Sequence, residues 1–124
     1  MGTITAVIDP TNSLTIQTVK GQTSAAQIAD AIAKYYEGES TLHILWDFSE
    51  ADLSEISPQD VANLVALTKR FSSRRPGGKT ALLFSSDFGF GMGRMYDIQH
   101  DVSGGEVMHM SFRGKDAAMS WLLG

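Results

Sequence analysis

Cysteine is absent from this 124-residue chain, which excludes disulfides, thiolate metal centres and cysteine nucleophiles together. No apolar run approaches the roughly 18 residues that a membrane-spanning helix requires. Internal repeats, low-complexity segments and linkers are also missing. Positive charge is scarce, with 10 Lys and Arg against 14 Asp and Glu and a net charge of -4, a balance that argues against a nucleic-acid partner. The opening stretch, MGTITAVIDPTNS, has neither the basic flank nor the apolar core of a signal peptide, so cytoplasmic residence is the expectation. What is present is ordinary globular material: 43% hydrophobic and 19% charged residues exclude wholesale disorder. A mass of 13.4 kDa suits one domain over residues 1–124 that buries roughly two-thirds of its unfolded surface.

The hydrophobic pattern predicts strands over Thr3–Ile8 and Leu14–Val19, rich in β-branched residues, separated by the turn formers Asp9-Pro10-Thr11-Asn12-Ser13 and so paired as an antiparallel hairpin. After Lys20-Gly21-Gln22, Thr23 or Ser24 caps a helix to Glu37, closed by Gly38, with Ala25, Ile28, Ala29, Ile32, Tyr35 and Tyr36 on its inward stripe. Leu42–Phe48 is apolar almost throughout and reads as a strand covered on both faces. Ser57-Pro58-Gln59-Asp60 opens a second helix, whose buried face is Val61, Leu64, Val65, Thr68 and Phe71. Pro76-Gly77-Gly78 precedes a fourth strand over Thr80–Ser85. A glycine-punctuated helix from Phe88 to Asp101 buries Met92, Met95 and Tyr96 and is stopped by Ser103-Gly104-Gly105. Glu106–Phe112 gives a fifth strand, and Lys115–Leu123 a last helix with Ala118, Trp121 and Leu122 inward. The order ββαβαβαβα predicts an α/β fold, a mixed but mostly parallel five-stranded sheet with helical cover.

In such sheets ligands bind beyond the carboxyl ends of the parallel strands. That edge gathers three loops, Asp47–Ile56, Ser85–Gly91 and Arg113-Gly114. Three helix N-termini converge there, with Arg94 and Arg113 adding positive charge. Asp47, Glu50, Asp52 and Glu55 oppose this, repelling phosphate and attracting a basic or polar partner; the plainer reading is a solvated acidic loop near a helix start. Half of the cations, Lys69, Arg70, Arg74, Arg75 and Lys79, fall within eleven residues at a helix C-terminus and the following turn, where they serve as caps or as a docking surface.

Gly89, Gly91 and Gly93 match neither a dinucleotide fingerprint nor a Walker loop; they suit a helix that approaches the sheet closely. His43 and His109 read as half-buried strand residues, and as a metal pair only if their strands adjoin and a third ligand exists. Asp97, His100 and Asp101 share a helical face and read as a salt-bridged cluster toward solvent. No metal ligand set, cofactor motif or nucleophile elbow is present, so no catalytic residue is assigned.

Taken together, the leading ββαβαβαβα order, LHILWDFSEADLS, GKTALLFSSDFGFGMGRMYD and the terminal DAAMSWLL resemble the SpoIIAA-like superfamily, which contains the STAS domains of anti-sigma factor antagonists and the STAS/SEC14 group. The alanines at 117 and 118 before Trp121-Leu122 make the chain most similar to the bacterial STAS/SEC14-like proteins. The resemblance implies a non-enzymatic bacterial regulatory or interaction domain. By it, the serine that a partner kinase phosphorylates in the antagonists falls on Ser57, where the antagonist motif Asp-Ser-Ser/Thr-Gly is replaced by Glu55-Ile56-Ser57-Pro58. From the residues alone, Ser57 is a helix N-cap.

Two functions follow as expectations. One is docking of a protein partner through the 47–57 loop and second helix, with Asp47, Asp52, Glu55, Ser57, Ser86, Asp87, Arg94 and Arg113 as candidate contacts. The other is binding of a small lipophilic or acidic ligand, for which Met92, Met95, Met108 and Met110 with Phe88, Phe90 and Phe112 supply an adaptable apolar lining. The first strand leaves a sheet edge open to pairing with a second copy.

Overall fold

The computed structural model describes residues 2–38, 40–103 and 106–124. Strands β1 (Thr3–Asp9) and β2 (Leu14–Gln22) form the expected antiparallel hairpin. Asp9 ties the turn by accepting hydrogen bonds from the Thr11 and Asn12 amides. Helix α1 (Ala25–Glu37), β3 (His43–Asp52), α2 (Pro58–Lys69), β4 (Lys79–Leu83), α3 (Asp87–Ser103), β5 (Met108–Phe112) and α4 (Lys115–Leu123) complete the chain. Gly38 closes α1 as expected; Gly104 and Gly105, expected to end α3, lie outside the described residues.

The strands lie side by side in chain order, and every pair after the hairpin is parallel. That order dictates the layers. Right-handed crossovers that always step in one direction place their helices on one face, so α1, α2 and α3 share a side. There Ile28, Ile32, Val61 and Leu64 pack with Ile44, Trp46, Phe48, Leu82 and Phe84. On the other face α4 alone covers Leu14, Leu45, Ala81 and Leu83, through Ala118 and Leu122. Trp121 joins that contact only half-buried, stacking obliquely on Phe112.

One expectation needs correcting. The acidic stretch after Phe48 is not a loop: β3 runs on to Asp52, paired with an equally extended β2 through Lys20↔Glu50, Gly21↔Ala51 and Gln22↔Asp52. A register shift between Thr18 and Lys20 lets the two polar segments align. Each segment looks like a turn by itself, and each is a strand because the other is there to pair with it.

Candidate functional site

The carboxyl ends of β2, β3, β4 and β5 and the N-termini of all four helices meet at one edge. Ser24 and Ser57 each close a capping box there: the Ser57 hydroxyl accepts from the Asp60 amide at 3.1 Å, and the Ser57 amide donates to the Asp60 carboxylate at 3.0 Å. Ser86 caps α3 in a similar way, its hydroxyl accepting from the Gly89 amide.

The edge sorts the candidate residues into two groups. On the β4–β5 side, Arg113 and Asp87 are joined at 2.6 Å, Arg113 also donates to the Ser85 carbonyl, and its guanidinium lies over the Phe90 ring. On the β3 side, Asp47 lies within the strand and accepts from the Ser49 amide and hydroxyl. Asp52 accepts from the Ser54 amide, and hydrogen bonding from Ser54 holds its carboxyl below the usual range. Glu55 is exposed, as is Arg94 on α3. Asp47 and Asp52 are therefore turned onto their own backbone and Ser57 onto α2; among the described residues the charged pairs across elements are Asp87 with Arg113 and, more loosely at 3.6 Å, Glu50 with Lys20 of β2.

Between the two groups, beneath residues 53–57, lies an apolar cavity of about 70 Å3. Phe48, Leu53, Ile56, Phe84, Met92 and Tyr96 are among its walls, and Val61 and Leu64 of α2 close one side. The rings of Trp46, Phe48 and Phe84 form a near-parallel ladder along it, with centroids 5.9 and 5.3 Å apart. Its one hydroxyl, on Tyr96, is spent on Thr68 at 3.0 Å. Leu53 and Ile56 were not singled out from the sequence. Their signal was two apolar residues three apart inside an otherwise acidic stretch, which is the pattern of a loop folded down over a core.

The glycine run of α3 is a packing device. A Cβ on Gly93 would collide with the Phe84 ring and the Ser111 hydroxyl, and one on Gly89 would press on Phe84, whereas Gly91 faces open space. The close approach has a consequence for Asp97 and His100, which corrects a second expectation. One and two turns beyond Gly93 on the same side of the helix, they are buried, and only Asp101 is exposed.

His100 stacks flat on His109 of β5 at 3.8 Å and shares a 2.8 Å hydrogen bond with the Thr68 hydroxyl. Burial drives His100 down to about 4; burial, then the charges of His100 and Arg75, drive His109 down to about 3. Burial likewise pushes the Asp97 carboxyl up to about 6, against the opposing pull of Ser111 and Arg94. Neither Asp97 oxygen nor the Ser111 hydroxyl has a well-directed hydrogen bond. His43 is not part of this cluster; its Nδ1 accepts from the Lys79 amide. Among the described residues no three His, Asp or Glu side chains are placed to hold a metal.

The basic run is largely structural. Arg74 donates to the Tyr36 carbonyl at the end of α1, and Lys79 donates to the Trp121 carbonyl at the end of α4. Arg75 is only 3% exposed and donates to the Leu42 and Lys79 carbonyls and to the Tyr36 and Thr80 hydroxyls.

Comparison with known proteins is consistent with this architecture. No family model matches the chain, and no curated protein matches it. Among solved structures it is similar to an uncharacterised protein of the DUF3478 family with a SpoIIAA-like fold from Shewanella loihica PV-4, at 16% identity and a TM-score of 0.59, over 98% of this chain and 93% of that one. At that identity the likeness establishes the fold, which is SpoIIAA-like.

Proposed function

We propose that this protein is a binding domain for a small, uncharged, apolar ligand, or for the apolar part of a larger one, held between the sheet and helices α1, α2 and α3. The observation that carries the reading is the cavity itself: Phe48 and Phe84, at the carboxyl-end side of the sheet where α/β folds bind ligands, are among its walls, and those walls are almost wholly apolar. Engineered apolar cavities in proteins stay dry and take up apolar guests. With the Tyr96 hydroxyl already engaged and no carboxylate or cationic side chain among the walls, a charged group inside would meet a large desolvation cost. The flexible Met92 thioether lets the wall adapt to guests of different shape.

The test is native mass spectrometry of protein purified from cells, with solvent extraction of the denatured sample, alongside NMR of the 13C-methyl of Met92. A co-purified apolar molecule, or saturable shifts at Met92 under rising xenon pressure, is the expected result, since a cavity of about 70 Å3 has room for a xenon atom. Ile56→Trp is expected to weaken xenon binding about tenfold or more by filling the cavity. Protein of bare mass, together with Met92 shifts that stay linear and do not saturate, contradicts the reading.

A second reading, docking of a protein partner, is favoured by the exposed Glu50, Asp52 and Glu55 on the rim. Opposite charge on a partner would steer association at this rim. If such a partner exists, Asp52→Lys with Glu55→Lys slows its association and removes the salt dependence, as measured by surface plasmon resonance. An unchanged rate rejects the rim as the docking surface.

A further inference from the structure

We infer that β1 is a self-pairing edge, through which two copies of this chain join antiparallel about a two-fold axis at Ala6 to form one continuous ten-stranded sheet.

β1 is hydrogen-bonded to β2 on one side only and ends the sheet. Soluble proteins blunt such edges with lysines, prolines, bulges or a covering element. β1 has none of them. Its seven residues, TITAVID, contain no lysine and no proline, and its register with β2 runs from Thr3 to Asp9 without a shift. α1 leaves it uncovered: an open groove of about 390 Å3 separates Ile4, Ala6 and Ile8 from the side of α1 at Ala31 and Tyr35. Val7 and Ile8 are 63% and 56% exposed.

The occupant is specified by the strand's own symmetry. Reflected about Ala6, the strand sets Ile4 against Ile8, Thr5 against Val7 and Thr3 against Asp9. Side chains alternate between faces, so on the groove side two Ile4–Ile8 pairs flank a central pair of alanines small enough to meet on the axis. On the opposite face Thr5 meets Val7. Apolar and β-branched cross-strand pairs of this kind are the unit of sheet stabilisation. No like charges meet at either end. Thr3 pairs with Lys20 of β2 and would face Asp9 of the second copy, whose carboxylate already accepts from the Thr11 and Asn12 amides, while Lys20 pairs with Glu50. The two grooves then adjoin along the isoleucine and alanine pairs, with Thr15 and Gln17 of β2 beside them. Pairing β1 with β5 of another copy would instead be heterologous and would leave edges free to add further copies.

Sedimentation velocity of the full chain, over roughly two decades of concentration up to about 1 mM, tests this. The expected result is a reversible shift from 13.4 kDa to twice that mass and no further. Ile8→Lys and, separately, Ala6→Arg should each raise the midpoint concentration about tenfold or more. Both positions are exposed, so both variants should keep the wild-type circular dichroism spectrum. A wild-type chain that stays at 13.4 kDa throughout overturns the inference. So does a dimer that both variants leave unchanged, or a series of species growing beyond two copies.

Discussion

At the scale of single residues, α3 is decided by which of its glycines touch the sheet. Gly93 sits against Phe84 and Ser111 with no room for a methyl group, while Gly91 faces open space. Gly93→Ala should therefore cost about 1–3 kcal/mol by overpacking, and Gly91→Ala should stabilise by roughly 0.5–1 kcal/mol through helix propensity. Urea denaturation of the two variants checks the pair, and equal effects would refute the packing account.

The buried cluster beyond Gly93 sets the pH response. The two histidines are held neutral, so between the unfolded value of 6.5 and about 4 or 3 the unfolded chain binds more protons, and stability falls as pH drops below 6.5. Asp97 acts in the opposite sense: its folded value near 6 against 3.8 unfolded means the folded chain binds the proton more tightly, and stability falls as pH rises from 4 to 6. Asp97→Asn should thus gain about 1–3 kcal/mol at pH 7.5 and lose most of that gain by pH 4. Thermal melts over that range read the difference directly. Arg75→Met leaves two carbonyls and two hydroxyls without their donor and should cost about 3 kcal/mol or more.

At the scale of elements, the α2 start was legible because its chemistry is local. A serine cap, a proline at the first turn and an acid three residues after the cap specify it without reference to the rest of the chain, and the capping box forms as those residues require. Ser57→Ala should cost about 1 kcal/mol, measurable by chemical denaturation, and a change within error would mean that Asp60 alone sustains the cap. The ends of β2 and β3 were not legible, because Lys20-Gly21-Gln22 and Ser49–Asp52 become strands only by pairing with each other. The centre of the inward face of α3 was hidden for a different reason. Its contact with the sheet is made by Gly89, Gly93, Asp97 and His100, while Phe88, Ile98 and Val102 face solvent. Apolar periodicity found the flank of that face, Met92, Met95 and Tyr96, which pack partly buried against the core, but not its centre, where the approach is too close for large side chains.

At the scale of the whole molecule, the strand order carries the functional argument. Five strands in sequence, joined by crossovers of one hand, put three helices on one face and one on the other. The crowded face holds the cavity, and the parallel strands bring that cavity to the edge where Ser57, Ser86, Asp87 and Arg113 gather. The sequence pointed to this edge through its loops, with charge as the content of the site in one reading and a methionine and phenylalanine lining in the other. Of that lining only Met92 reaches the cavity, while Phe88, Met108 and Met110 are exposed. The polar residues largely cap helices and pair with one another, and the unfilled space is apolar. The most direct measurement is a crystal structure under xenon pressure, since xenon enters apolar cavities without needing a polar anchor. The account predicts an ordered xenon atom among Phe48, Phe84 and Met92, with occupancy lost in Ile56→Trp. Xenon bound elsewhere in the molecule, with that space left empty, would contradict it.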